Sequence, residues 1–358
     1  MDVAVGNTLE ILDKVYREDR LTKEDAIQLF HSDDLLEMGM AADYVRHKFH
    51  PENTVSYIID RNINYTNICN VECSFCAFYR SSKETDSYLH AYDVLDKKIE
   101  ETLALGGTGI LMQGGLHPEL KIEWYEELLR HIKSKYPIWI HGFSPPEIIN
   151  ICKVSHLPLS VVMERLIAAG LDSLPGGGAE ILVDRVRKII SPRKCTTAEW
   201  LAVHEEAHCQ RLRSSATMMF GHVETLEERV EHLQHIRDLQ DKTGGFMSFI
   251  CWTFQPENTL LHCETATASD FLKTLAISRV FLDNIKNVQS SWLTQGLKLG
   301  QVALRFGAND MGSTMIEENV VSAAGAHYQV TEEDLRRLVR DAGFRPLKRD
   351  TIYRILEN

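Results

Sequence analysis

Three cysteines, Cys69, Cys73 and Cys76, stand at spacings of four and three in one short stretch of the chain. Residues 64–80 read Asn-Tyr-Thr-Asn-Ile-Cys-Asn-Val-Glu-Cys-Ser-Phe-Cys-Ala-Phe-Tyr-Arg. A structural zinc ion takes four tetrahedral ligands, and its cysteines usually come as two close pairs. Three thiolates in one loop, with no partner pair nearby, suit instead a cubane iron–sulfur cluster with one iron left open. An open iron is a place for chemistry. The plainer alternative, a disulfide or zinc knuckle, has the spacing against it. The other five cysteines, Cys152, Cys195, Cys209, Cys251 and Cys263, are scattered without a close pair and read as small buried hydrophobes. Cys251 is the one to watch for a second cluster.

The remaining candidates are glycines and polar residues in short clusters. Gly114-Gly115 would let a ligand approach the backbone without a side chain between, although alone it is also ordinary turn chemistry. His117 beside it could meet substrate or cap the next helix. Ser144 precedes Pro145 and Pro146, a stiff loop that offers a hydroxyl or merely a turn. Glu180 follows the run Gly176-Gly177-Gly178, so its carboxylate would sit where backbone can come close; a solvated glutamate at a helix start is the bland reading. His222, Glu224, Gln255 and Asn258, then Gln289, Trp292 and Gln295, then Asn309, Asp310 and Thr314, extend the series, each with a loop-structural alternative. Met218, Met219, Phe220 and Trp252 read as core. The cations best placed for a substrate carboxylate are Arg305 and the histidines.

These residues need a scaffold, and the pattern supplies one. Residues 7–50 read as a helical leader, with Thr22-x-x-Asp25 as a capping-box-like start. Residues 56–65 are β-branched and aromatic, a first strand that runs directly into the cysteine loop. Strands and helices then alternate: strands at 109–113, 138–143, 170–174, 214–220, 246–252, 288–292 and 303–306, with helices at 91–105, 122–135, 159–169, 197–211, 226–241 and 268–282 between them. Such alternation argues for βαβ units and a parallel sheet. About eight strands are what a closed (β/α)8 TIM-type barrel requires. The polar and glycine-rich clusters follow strands, and in such a barrel those loops share the face where active sites form. Residues 1–50 would then be an N-terminal helical extension, 51–320 the barrel, and 321–358 a C-terminal extension opening a helix at Thr331-x-x-Asp334. Those last residues would pack back on the barrel or on the leader.

Composition sets the outer bounds. The 358 residues carry a formal net charge of −12, which speaks against nucleic acid as a partner and against a polybasic membrane anchor. The N-terminus has no signal-peptide layout, and no run approaches the ~18–20 apolar residues of a membrane span. A cytoplasmic enzyme is the expectation.

CxxxCxxC with an aromatic before the last cysteine resembles the signature of the radical S-adenosylmethionine (SAM) enzymes. Longer strings narrow the likeness. Gly106-Gly-Thr-Gly-Ile-Leu-Met-Gln-Gly-Gly-Leu-His-Pro118, Leu171-Asp-Ser-Leu-Pro-Gly-Gly-Gly-Ala-Glu-Ile-Leu-Val-Asp184, Ala216-Thr-Met-Met-Phe-Gly-His-Val-Glu-Thr225, Trp252-Thr-Phe-Gln-Pro256 and Phe306-Gly-Ala-Asn-Asp310 resemble the cyclic dehypoxanthine futalosine synthases of the menaquinone-forming futalosine branch. Relatives of that branch build the deazaflavin chromophore. The resemblance runs from about residue 50 to beyond 320.

It implies a [4Fe-4S] cluster on Cys69, Cys73 and Cys76, with SAM chelated at the open iron. Phe75 would lie against the adenine, Gly114 and Gly115 near the SAM amino group, and Ser144 and Glu180 on its polar atoms. One electron from a reductant such as flavodoxin or ferredoxin would release a 5′-deoxyadenosyl radical. That radical would take hydrogen from the ribose 4′ carbon of dehypoxanthine futalosine, and the sugar would close onto the benzoate ring. Loss of a proton and an electron completes the cycle, with His222, Glu224 or Asp310 as candidates for the base. The rivals are aminofutalosine synthase and a deazaflavin (FO) synthase subunit.

Overall fold

The computed structural model describes residues 8–325 and 330–356; the first seven residues of the expected leader and the last two of the tail lie outside that range. Three helices come first: α1 (Thr8–Tyr16), α2 (Lys23–His31) and α3 (Leu35–Phe49). The Thr22 hydroxyl and the Asp25 carboxylate cap each other's backbone at the start of α2, as the sequence pattern predicts.

The chain then alternates. In order come β1 (Thr54–Ile58), β2 (Asp60–Asn64), α4 (Tyr92–Ala104), β3 (Gly109–Gln113), α5 (Ile122–Lys135), β4 (Trp139–Gly142), α6 (Pro145–Ser155) and α7 (Leu159–Ala169). Next are β5 (Ser173–Leu174), α8 (Asp184–Ile190), α9 (Thr197–Cys209), β6 (Arg213–Phe220), α10 (Leu226–Thr243), β7 (Phe246–Thr253) and α11 (Ala268–Phe281). Last are β8 (Asn287–Gln289), α12 (Trp292–Gln295), α13 (Leu297–Ala303), β9 (Asp310–Ser313), α14 (Val320–Ala323), α15 (Glu332–Asp341) and β10 (Arg345–Lys348).

All ten strands belong to one parallel sheet in the order β10-β1-β9-β8-β7-β6-β5-β4-β3-β2. β1 and β2 are two halves of one stretch, residues 54–64, broken at Ile59. The first half pairs with β9 (Ile58 opposite Ser313) and the second with β3 (Asp60 opposite Gly109). The same stave therefore touches both ends of the series β3 to β9, which brings the sheet round into a barrel of eight staves. β10 is an addition, paired with β1 on the edge that β3 takes over beyond Ile59.

The strand expected at residues 303–306 is absent: Ala303 ends α13, and the eighth stave is β9, starting at Asp310. The short apolar run was ambiguous between helix end and strand, a known weakness of periodicity over four residues. Residues 288–292 likewise shorten to β8, because Trp292 begins α12.

Helices cover the barrel wall through buried aliphatic faces, such as Leu128, Leu129 and Ile132 of α5 and Leu272, Leu275 and Val280 of α11. The leader lies on the outside, its Ile11, Leu12, Leu29 and Ala41 in the same apolar cluster as α10 and α11. Arg20 bridges Asp241 and Asp283 at 2.7 and 2.8 Å, with all three side chains well exposed. Burial rather than that ion pair holds the leader down. Beyond β10 the tail turns under the barrel, where Arg349 is bound to Asp310 at its Nε (2.5 Å) and Nη2 (2.9 Å) and stacks over Tyr353 at 3.9 Å. No helix of the described residues is long and apolar enough to cross a membrane.

Candidate active site

A cavity of about 460 Å³ occupies the barrel from its C-terminal mouth to the tail beneath, within the usual range for small-molecule sites. At the mouth it is lined by Cys69, Cys73 and Cys76, in the loop that leaves β2. That loop is pinned from several sides. Cys69 N donates to Arg80 O, Asn70 N to Leu116 O and Ser74 N to Ile190 O, so three neighbouring segments fix its course. All three thiols are free of disulfides. Burial pushes Cys73 up to about 12 and Cys76 upward, with Lys194 opposing in both cases. A bound cationic cluster would reverse that, since metal coordination deprotonates a thiol outright. The remaining cysteines do not line the cavity.

Glycines open the wall beside the loop. A Cβ on Gly115 would lie 2.2 Å from the carbonyl oxygen of Ile68, and one on Gly114 would lie 2.6 Å from the Tyr65 ring. On Gly176 it would meet Ser215 O at 2.6 Å, and on Gly177 it would meet the Gln113 amide at 2.4 Å. These four positions are packed too closely for any side chain, and all four line the cavity.

Glu147 sets this wall. Its carboxylate accepts from Gly114 N (3.0 Å), Tyr65 OH (2.8 Å), Ser144 N (2.7 Å) and Ser144 Oγ (2.6 Å). One group thereby ties the end of β3, the end of β2 and the start of α6 together. Burial still pushes it up to about 7. The Ser144 hydroxyl predicted to face a ligand is thus already donated to Glu147, although Ser144 lines the cavity. Sequence reasoning missed Glu147; the signal was Ser144-x-x-Glu147, a capping box with prolines in the first turn.

Glu180 lines the same mouth at a left-handed φ of +41°. Its Oε1 takes the Lys194 ammonium at 2.9 Å, while Oε2, buried, faces the Arg187 guanidinium at 3.7 Å and has no hydrogen-bond partner among the described residues. Lys194 also lies 5.1 Å over the Phe75 ring. Phe75, Lys194, the Glu180 carboxylate, four glycines and three thiols thus line one space, residue types that a [4Fe-4S] cluster with SAM would use.

Deeper in, the walls mix apolar side chains such as Leu111, Met247 and Ile250 with polar ones: Asp60, Asn62 and Asn64 from β2, His141 from β4, Ser215 and Thr217 from β6, Ser248 from β7, Gln289 from β8 and Arg349 from the tail. Burial pushes His141 down to about 3, and its ring nitrogens face the hydroxyls of Ser173 (2.7 Å) and Ser215 (3.5 Å).

The three expected bases do not line this cavity. Glu224 caps its own loop, accepting from Gly221 N at 2.6 Å and His222 N at 3.0 Å and pairing with Arg229 Nε at 2.9 Å. His222 is wholly buried against it. Asp310 is sealed below the cavity by Arg349, Ser56 and Gly312 N. His117, Asn258 and Asn309 also lie off it, whereas Gln255, Gln289 and Trp292 line it. Arg305 is on the outer surface beside Phe344, its guanidinium donating to Ala342 O, and has no path to a substrate.

Residues 63–236 match the radical SAM superfamily, and residues 243–358 match the CofH/MqnC C-terminal region. The chain is 47% identical over 348 residues to a cyclic dehypoxanthine futalosine synthase of Halalkalibacterium halodurans, covering 97% of this chain and 94% of that one. It is 42% identical over 356 residues to a 5-amino-6-(D-ribitylamino)uracil–L-tyrosine 4-hydroxyphenyl transferase of Methanococcoides burtonii, covering 96% and 98%. In fold it is similar to methylornithine synthase (TM-score 0.71, 18% identity, 94% and 97% covered).

Proposed function

The chain belongs to the radical SAM enzymes, in the branch shared by the futalosine synthases and the deazaflavin-forming transferases, and on that premise we propose that it closes dehypoxanthine futalosine to cyclic dehypoxanthine futalosine in menaquinone formation. The observation that carries the reading is 47% identity to a protein of that name, spread over 97% of the chain rather than confined to the cysteine loop.

Cys69, Cys73 and Cys76 would hold the [4Fe-4S] cluster; Phe75, Gly114, Gly115, Ser144 and Glu180 would hold SAM. Bound there and given one electron by a flavodoxin- or ferredoxin-type reductant, the pair supplies a 5′-deoxyadenosyl radical. The protein's own work is placement. Glu147 fixes the backbone at Gly114 and the turn at Ser144, so neither reorganises when a ligand arrives. Glu180 Oε2, which faces Arg187 at 3.7 Å but takes no hydrogen bond among the described residues, would accept from an amino or hydroxyl donor. Asn62, Asn64, Gln113 and Gln289 offer amides to the hydroxyls of a ribose below. Enclosure by the barrel keeps water and other hydrogen donors from the radical, and holds the ribose 4′ carbon and the benzoate ring within reach of each other. The substrate leaves two hydrogens lighter, with one new carbon–carbon bond.

The 42% identity to a tyrosine hydroxyphenyl transferase supports a second reading, and the aminofutalosine synthase of the same branch is a third. The test is anaerobic incubation of reconstituted protein with dithionite, SAM and dehypoxanthine futalosine, followed by mass spectrometry. Free 5′-deoxyadenosine with a product two hydrogens lighter supports the cyclase. Deoxyadenosine retained in the product points to the aminofutalosine reaction, and turnover only with tyrosine and the diaminouracil points to the transferase. No SAM cleavage by protein carrying its cluster refutes all three.

A further inference from the structure

Two aspartates far apart in the sequence, Asp60 and Asp310, meet at the floor of the barrel, Asp310 fully buried and Asp60 partly so. Asp310 is saturated: Arg349 binds it through two nitrogens, Ser56 Oγ donates at 2.5 Å and Gly312 N at 2.8 Å, and it does not line the cavity. The third guanidinium nitrogen of Arg349 is spent on Asp350 O at 2.9 Å. Asp60 is the opposite case. It begins β2 just past the break at Ile59, lines the cavity, and the Ser313 hydroxyl is the one donor its carboxylate receives among the described residues. Two carboxylates and a single guanidinium make one negative charge too many for an enclosed site, and the surplus falls on the member that faces the ligand space.

We propose that Asp60 is the catalytic base that takes the ring proton in the closing step. The assignment rests on the cyclase reading. Once the ribose carbon has bonded to the benzoate ring, that ring carbon carries both the new bond and its original hydrogen, and the ring holds one unpaired electron. The C–H bond breaks, its proton goes to an Asp60 oxygen, and its electron pair stays to restore aromaticity. The surplus electron leaves to a one-electron acceptor, an oxidised iron–sulfur cluster. Radical abstraction of the first hydrogen and loss of this proton and electron together account for the two hydrogens missing from the product.

The other groups lining this cavity are less suited. Glu147 is held by Gly114 N and Ser144, Glu180 by Lys194 and Arg187, and Glu318 by the amides of Val320, Val321 and Ser322. Tyr353 and Arg349 are raised out of reach as acceptors. His141 is neutral, but burial makes its conjugate acid far too strong, at about 3. Burial raises Asp60, with Asp310 adding to it, against the pull of Ser313 and Arg349. Raised basicity in a carboxylate is the direction proton abstraction needs.

The experiment compares wild type with Asp60→Asn and Asp60→Ala, reading product and deoxyadenosine separately. Substrate affinity is measured by calorimetry on unreduced holoenzyme, where nothing turns over. A base gives variants that bind substrate within about threefold of wild type and still form deoxyadenosine, while product per deoxyadenosine falls roughly 100-fold. Added formate, filling the space vacated in Asp60→Ala, raises that ratio at least about tenfold. An unchanged ratio in either variant, a parallel fall of deoxyadenosine and product, or lost substrate binding overturns the assignment. Failure of wild type to make any cyclised product overturns the cyclase reading first, and this assignment with it.

Discussion

Gly115→Ala tests whether the cysteine loop is held by backbone packing. The new Cβ would stand 2.2 Å from Ile68 O, 2.7 Å from Ile68 C and 2.9 Å from Cys69 Cβ. Ordinary contact needs the loop to retreat by about 1 Å. No side chain can absorb that movement, because the obstacle is backbone and both flanks are tied: Gly115 N donates to Thr66 O at 2.9 Å and Asn70 N to Leu116 O at 3.2 Å. Overpacking of this kind costs about 1–3 kcal/mol. The displaced atoms carry a proposed cluster ligand, and a 1 Å misplacement in a catalytic arrangement costs about 100-fold in rate. The assay is SAM cleavage normalised to cluster content from absorbance, beside thermal unfolding. Gly244→Ala is the control: φ is +62° at the end of α10 with nothing within 4 Å of a Cβ, so strain of about 1–2 kcal/mol arises far from the mouth. Similar stability losses with a rate loss confined to Gly115→Ala are expected. Wild-type cleavage per cluster in Gly115→Ala would refute the argument that this contact positions the loop.

Cys69→Ala, Cys73→Ala and Cys76→Ala should each abolish SAM cleavage, measured as deoxyadenosine from reduced protein, since each lines the mouth. Glu147, pushed up to about 7 by burial, holds more protons folded than unfolded between roughly pH 4.5 and 7, so its contribution to stability falls as pH rises through that window. Denaturant titrations should give wild type a steeper loss of stability from pH 5 to 8 than Glu147→Gln, by up to about 3 kcal/mol; equal slopes would contradict it. Arg349→Ala leaves Asp310 buried and unpaired and should cost about 3–5 kcal/mol in urea unfolding. Arg20→Ala removes an exposed bridge and should cost no more than about 1 kcal/mol in the same measurement.

The sequence carried the alternation of strands and helices, because buried parallel strands and amphipathic helices differ in period, and it carried the cysteine loop because its spacing is local. Side-chain direction was beyond it. His222, Glu224 and Asp310 all follow or begin strands on schedule, yet Glu224 turns back onto its own loop and Asp310 turns down to Arg349. One residue of register decides between lining a barrel and sealing it. Glu147 and Asp60 escaped notice for the complementary reason. The first looks like a helix cap in one dimension and gathers three segments only in three. The second sits at a break in a strand whose meaning depends on β9 and β3 lying on its two sides. β10 was invisible because four residues pairing across nearly the whole chain leave no local signature.

The tail under the barrel gives the site a traffic rule. Arg349, Thr351 and Tyr353 line the bottom of the cavity and the cysteine loop lines its mouth; where that mouth is the route used, a small molecule that reaches the floor does so past the cysteine loop and leaves the same way. Whatever occupies the mouth is then a cork for whatever lies below. Loading becomes last in, first out: the deeper guest enters first, the shallower one seals it, and release runs in reverse. An excess of the upper ligand would jam the queue by arriving early, a signature of compulsory order that steady-state inhibition patterns read without any label or mutation.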